Sequence, residues 1–174
     1  IARTIWGNHE RYINTYFSTY DNMYFTGDGA FKDDEGNFRI TGRVDDVIIV
    51  SGHNLGTAPI EDAINEHKKV AESAIVGFPH DIKGNALYGF VTLKDEINDE
   101  KLIKKEINNL ISNKIGPIAK LDKIQFASGL PKTRSGKIMR RILRKIASKQ
   151  YDDLGDISTL LNPEIVQEIK DNSI

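Results

Sequence analysis

The sequence predicts an α/β (α+β) fold: a small domain with a short mixed sheet flanked by helices, preceded by a β-rich segment. Three observations carry this. From about residue 46, β-branched runs alternate with stretches of helical periodicity. Nine of the fourteen aromatic residues fall before residue 45, which marks a change of composition there. The early part holds short extended stretches around a turn-rich Asp33-Asp34-Glu35-Gly36-Asn37.

Residues 1–44 read as strands and turns, with Tyr24-Phe25-Thr26-Gly27-Asp28-Gly29 and Phe38-Arg39-Ile40 as the extended pieces. So many aromatics in so short a segment need a core, and the expectation is the edge of a larger domain whose remainder is missing. Val47-Ile48-Ile49-Val50 is a strand. Thr57-Ala58-Pro59-Ile60-Glu61-Asp62 reads as a helix start, with Thr57 as cap and acids facing the helix dipole. Ala74–Phe78 and Leu87–Leu93 are strands joined by the polar turn Asp81–Asn85. Residues 99–114 form an amphipathic helix with Leu102, Ile103, Ile107, Leu110 and Ile111 on one face, ended by Gly116-Pro117. Lys123–Phe126 is a short strand and residues 138–148 a basic helix. The tail from 150 to 174 carries six acids against one Lys, and a surface helix is expected over 163–170.

The 24 basic and 25 acidic residues of this 174-residue chain nearly cancel, which argues against a disordered charged tail protein. With no Cys, disulfide frameworks, zinc–thiolate sites and thiol nucleophiles are excluded. No apolar run approaches the ~18 residues of a membrane span. The chain begins without Met and without an apolar signal region, so a processed or partial, cytoplasmic-type chain is expected.

The most informative segment is Leu130-Pro131-Lys132-Thr133-Arg134-Ser135-Gly136-Lys137-Ile138-Met139-Arg140-Arg141. Its Gly-Lys pair fails the phosphate-loop pattern, because six residues separate Gly129 from Gly136 and Ile138 follows Lys137. What remains is a loop presenting Lys137 beside a helix start, where it reads either as a flexible point charge for an anion or as part of a solvated basic face. Eight Lys and Arg with no acid lie between Lys132 and Lys149. Nucleic acid is not expected, because the whole chain is not basic and no aromatics interleave with the cluster; neutralisation by the acidic tail is an equally cheap account. Thr26-Gly27-Asp28-Gly29 frees backbone around a carboxylate that suits vicinal hydroxyls, or is an ordinary turn. Arg43 in Thr41-Gly42-Arg43-Val44-Asp45-Asp46 is a clamp candidate for a hydroxyl or phosphate, and Gly52 and Gly56 bracket a turn; on pattern alone a plain hairpin with Gly turns is the favoured reading of both. None of the four His has a partner at metal-ligand spacing.

Taken together, Tyr24–Gly29, Gly42–Val47, Ser51-Gly52-His53, Gly77-Phe78-Pro79-His80 and Pro131–Arg141 make the chain resemble the C-terminal portion of the adenylate-forming enzymes, from Trp6 to about Leu161. Asn22-Met23-Tyr24-Phe25-Thr26-Gly27-Asp28-Gly29 is similar to the acetate and propionate branch. The resemblance implies residues 1–44 as the C-terminal edge of a large adenylation domain and residues 45–174 as a mobile C-terminal domain. It implies acetate, ATP and CoA as substrates, with Mg2+, and a two-step reaction through an acyl-adenylate; propionate or another short acid, or a non-enzymatic basic binding module, are the alternatives. It further implies that Asp28 and Arg43 hold the ribose hydroxyls, that Asp45 is the hinge, and that Lys137 reaches the carboxylate and α-phosphate. Ser51 and Gly52 would line the pantetheine path. Asn65, His67 and Val70 match a metal position. Lys137 would be acetylated as an off switch by a protein acetylase and restored by a deacetylase. Three positions depart from the family pattern: Asn54 and Ser112 stand where Arg is usual, and Pro59 where Glu is usual.

Overall fold

The computed structural model describes residues 1–95 and 99–174. It divides into two compact units, Ile1–Asp45 and Asp46–Ile174.

In the first unit, helix α1 (His9–Tyr16) starts where the Asn8 side chain accepts the Arg11 N–H at 3.0 Å. The sequence reading had only strands and turns here; the Asn cap and the i, i+4 pair Tyr12 and Tyr16 are what make it helical. Tyr12 is buried, and Tyr16 stacks on Tyr24 with ring centroids 4.9 Å apart. Strands β1 (Asp28–Lys32) and β2 (Phe38–Arg43) form an antiparallel hairpin. Its turn is closed by Asp33, whose carboxylate accepts the Asn37 N–H at 2.8 Å and the Asn37 carboxamide at 3.0 Å. Trp6 is 98% exposed and Phe38 72%, so this unit covers only part of its apolar surface.

The second unit is built on a mixed sheet. Strands β3 (Ile48–Val50) and β4 (His53–Leu55) make a short hairpin, followed by helix α2 (Thr57–Asn65). Strands β5 (Val70–His80) and β6 (Gly84–Leu93) form a long antiparallel hairpin, and after helix α3 (Glu100–Lys114) strand β7 (Lys123–Phe126) returns parallel to β6. The order is β4-β3-β6-β5, with β7 beside β6. Helices α4 (Arg140–Ala147) and α5 (Glu164–Asp171) complete the unit. The expected mixed sheet flanked by helices is therefore present.

Both faces of the β5–β6 pair are buried. Ile75, Leu87 and Val91 point to one side, where they meet Ile60 and Ile64 of α2 and Ile103, Ile107 and Ile111 of α3. Ala74, Val76, Tyr88 and Phe90 point to the other, against Ile142, Leu143 and Ile146 of α4 and Ile165, Val166 and Ile169 of α5. This explains why Ala86–Val91 is apolar without alternation. Gly89 lies where a Cβ would fall 2.5 Å from Leu121 Cδ1, so the side chain is missing to let the next layer close.

Two local readings are corrected. The residue capping α2 is Gly56, without a side-chain bond, and Thr57 is already helical and buried. The tail helix is not a surface helix: Ile165, Val166 and Ile169 share a face that seals the second core. The α3 reading holds, with Asp99 as cap, although Leu102 is 47% exposed.

Ile107 is fully buried between α3 and the sheet. Ile107→Ala should lower the stability of the chain by about 2–5 kcal/mol, read from urea unfolding.

Candidate functional site

The antiparallel register sets Asp28 of β1 directly opposite Arg43 of β2, so their side chains share one face. Arg43 Nη1 lies 3.6 Å from Asp28 Oδ1 and donates to the Thr26 carbonyl at 3.2 Å. Arg43 Nε donates to Asp45 Oδ1 at 2.9 Å. Gly27 is buried beneath the guanidinium, where a Cβ would stand 2.8 Å from Nη2; its φ of +76° also favours glycine. The hairpin thus brings together three of the expected residues, Asp28, Arg43 and Asp45. Both acceptors remain about half exposed, so the carboxylates face solvent while the cation between them is oriented. Paired acceptors on one rigid hairpin suit a diol.

Lys137 sits on a second hairpin. Lys132 and Ile138 pair as an antiparallel bridge. The Thr133 N–H donates to the Lys137 carbonyl at 2.8 Å, and the Lys137 N–H donates to Thr133 Oγ1 at 3.1 Å. Gly136, at φ +81°, makes the turn that needs a left-handed residue. The Lys137 side chain is exposed and has no partner among the described residues. A flexible stem on a fixed base is the arrangement that lets an ammonium reach an anion.

Ser51 and Gly52 form the two-residue tip between β3 and β4, with φ of +48° and +83°. Positive φ at both positions is the tight primed hairpin turn, which glycine adopts freely and serine does not. Gly52 has open space around the position of a Cβ, so packing does not require the missing side chain and the positive φ is what favours glycine there.

Asn65 ends α2, His67 follows it, and Val70 opens β5. Among the described residues no group of three or more His, Asp or Glu could hold a metal ion. The His67 ring is engaged on both sides, by Glu106 at 3.1 Å and by the Lys69 N–H at 3.3 Å. The Asn65 carboxamide accepts from Ser73 at 2.9 Å. These residues therefore offer a hard cation only backbone carbonyls, and that of His67 already accepts the Val70 N–H at 2.9 Å.

Sequence reading missed a buried charge network. Glu61, read there as an acid facing the helix dipole, is 8% exposed; it accepts the Ile75 N–H at 2.8 Å and Arg140 Nη2 at 2.6 Å. Arg140 Nε is 4.0 Å from Asp46, and Arg144 Nη2 is 3.4 Å from the same carboxylate. The only hint in the sequence was the Arg140-Arg141 pair after Lys137. Lys132 pairs with Glu72 at 2.6 Å, and Lys145 with Asp153. Of these pairs only the last uses the acidic tail, so the basic cluster is neutralised mainly by Glu61, Glu72 and Asp46 of the domain itself.

Residues 59–137 match the AMP-binding enzyme C-terminal domain. This stretch is thus similar to the C-terminal domain of AMP-binding enzymes. More narrowly, the chain is similar over nearly its whole length to the C-terminal part of acetyl-coenzyme A synthetases. That of Marinobacter nauticus is 61% identical over 169 residues, covering 96% of this chain and 26% of the relative; that of Magnetococcus marinus is 58% identical over 172 residues, covering 99% and 27%. The chain spans about a quarter of the length of these curated relatives. Among solved structures, the anthranilate CoA ligase AuaEII in complex with anthranoyl-AMP superposes with a TM-score of 0.75 at 28% identity, over 86% of this chain and 28% of that one. An ATP-bound RpMatB-BxBclM chimera superposes at 0.72 with 26% identity, over 87% and 29%. No helix among the described residues is long and apolar enough to cross a membrane.

Burial raises the Glu61 carboxyl above its ordinary value of 4.5, against the lowering effect of the Ile75 N–H and Arg140. The folded state therefore holds this proton more tightly than the unfolded chain. The stability it contributes is full below pH 4.5 and is lost as pH rises through the folded pKa. In urea unfolding across that range, the stability of the chain relative to Glu61→Gln should fall as pH rises.

Proposed function

We propose that the chain is the C-terminal part of an acetate–CoA ligase, and that the parent protein makes acetyl-adenylate and then acetyl-CoA. In the first step an acetate oxygen attacks the α-phosphorus of ATP and the bond to pyrophosphate breaks. In the second, the sulfur of CoA attacks the acetyl carbonyl carbon, the bond to AMP breaks, and the thiol proton leaves to solvent. The observation that carries this reading is Lys137, held at its backbone by Thr133 and with no side-chain partner among the described residues, in a chain 61% identical over 169 residues to part of an acetyl-coenzyme A synthetase.

Asp28 and Arg43 take the ribose hydroxyls in this reading. Lys137 places its charge where negative charge gathers on the α-phosphate and the attacking carboxylate, and a charge fixed there in advance lowers the barrier. Asp45 is the hinge, and its carboxylate already rests on Arg43, so a turn about this residue starts from a defined side-chain position. Ser51 and Gly52 line the pantetheine path. Mg2+ would be held chiefly by ATP phosphate oxygens, and Asn65, His67 and Val70 would offer carbonyls to a second cation. Acetylation of Lys137 would remove the charge and stop the first step; an acetylase and a deacetylase would be the partners. Residues 1–44 would pack the exposed Trp6, Phe31, Phe38 and Ile40 into a large adenylation domain, and the protein would work in the cytoplasm.

The names of the relatives support acetate over propionate. Acetate-dependent ATP–pyrophosphate exchange by the full-length protein tests the proposal. Exchange should be present, and Lys137→Ala should reduce it by about 100-fold or more, the scale of losing one oriented electrostatic contact. Exchange that survives Lys137→Ala unchanged would overturn the assignment of Lys137.

A further inference from the structure

The tail beyond the family match ends up against the Lys137 hairpin. Leu160 pairs with Thr133 as an antiparallel bridge, and the Leu161 N–H donates to the Lys132 carbonyl at 2.8 Å. The Asn162 side chain then does what a strand backbone would do. Its Oδ1 accepts the Lys132 N–H at 3.1 Å, and its Nδ2 donates to the Leu130 carbonyl at 3.0 Å. Between these two lies Pro131, which has no N–H and so interrupts any ordinary ladder. One carboxamide thus satisfies the two backbone groups that flank the proline. Only one orientation works, since an oxygen must face the N–H and a nitrogen the carbonyl.

The clip is itself held firmly. Leu160 is buried at one side of it, and Ile165, Val166 and Ile169 of α5 lie in the second core at the other. The Asn162 carbonyl accepts the Ile165 N–H at 3.3 Å as α5 begins. On the far side, the strand that Asn162 grips carries Thr133, whose backbone and hydroxyl fix Lys137. The Met139 N–H closes the hairpin by donating to the Pro131 carbonyl at 2.8 Å. An unbroken path of hydrogen bonds runs from the tail through Lys132 and Thr133 to the backbone of Lys137.

We infer that Asn162 is a positioning residue for Lys137, and that the segment Leu160–Asn162 braces the Lys137 hairpin. The inference rests on the role proposed above for Lys137. Its consequence is a split between half-reactions: the step that uses Lys137 depends on Asn162, and the step from adenylate to thioester does not.

The experiment uses the full-length protein. Acetate-dependent ATP–pyrophosphate exchange is measured for Asn162→Ala, together with thioester formation from supplied acetyl-adenylate and CoA. Exchange should fall about tenfold or more, the effect of stranding two backbone groups, while thioester formation stays near that of the parent. Asn172→Ala, which removes a tail contact to the Glu168 carbonyl, should change neither. Should Asn162→Ala not fold, Asn162→Asp reads the same split, since it keeps an acceptor for Lys132 and loses the donor to Leu130. Equal loss of both half-reactions would show a merely structural role and overturn the inference. So would unchanged exchange in Asn162→Ala when Lys137→Ala has lost it. Exchange retained in Lys137→Ala would instead remove the reading on which the inference stands.

Discussion

The burial of both faces of the β5–β6 hairpin is the constraint on which the second unit depends. A strand pair with one wet face needs helices on one side only. Here Ala86–Val91 leaves no polar face, so cover is required on both. Helices α2 and α3 cover one face, α4 and α5 the other. Each fully buried Ile, Leu or Phe in these layers contributes about 1.5–3 kcal/mol. The requirement also explains the tail, since without α5 the side of Tyr88 and Phe90 would be open. Tyr88 then finds a partner inside, its hydroxyl donating to Gln125 at 2.6 Å, and Gln125 in turn donates to the Ile169 carbonyl at 2.8 Å. A buried polar pair of this kind is tolerable only when every member is satisfied.

The sequence was legible where a local rule and the tertiary demand agree. The β-branched run at 47–50, the polar turn at 81–85 and the Ile103–Ile107–Ile111 stripe all reappear as elements. It was less legible where a long-range contact decides. Glu61 reads from the sequence as an acid facing the helix dipole, yet it lies beyond the first turn of α2, and the arrival of β5 and Arg140 makes it a buried acceptor of the Ile75 N–H. Asn162 had no signal at all, because its role depends on the carbonyl and N–H on either side of Pro131, thirty residues earlier. In α1 the helix went unread among the strands and turns expected of residues 1–44, although the Asn8 cap is a local signal for it. The candidate residues were readable by type and motif, but their grouping was not. The antiparallel register joins Asp28 to Arg43, and nothing in the spacing implied that Asp45 would share the same guanidinium.

The departures at Asn54 and Ser112 can be weighed by magnitude. Asn54 is exposed on the short strand β4, and Ser112 is half-buried in the last turn of α3. An Arg at either place would offer a charge-assisted hydrogen bond worth roughly 1.5–3 kcal/mol. Near Ser112, Lys114 is an available cation, already paired with Glu66 across α2 and α3. That pair is exposed, and exposed pairs contribute at most about 1 kcal/mol. Two residues apart on one helix, Lys114 and Ser112 point to different faces, so Lys114 is no direct stand-in for the absent charge. No such neighbour stands out beside Asn54, whose register partner across the hairpin is Ile49.

A flexible lysine serves electrostatic catalysis only if its backbone does not wander. The Lys side chain carries about 2 kcal/mol of rotamer freedom, which must be lost each time the ammonium is placed. Freedom in the hairpin would add to that loss, at about 1–2 kcal/mol for each backbone residue to be fixed. The structure removes the second cost beforehand: Gly136 sets the turn, Thr133 ties both ends of Lys137, and the tail ties Thr133 to a packed core. Only the exposed stem is left without such ties among the described residues. Rigidity at the base and freedom at the tip are thus one arrangement, and it extends to residues some twenty-five positions beyond the lysine.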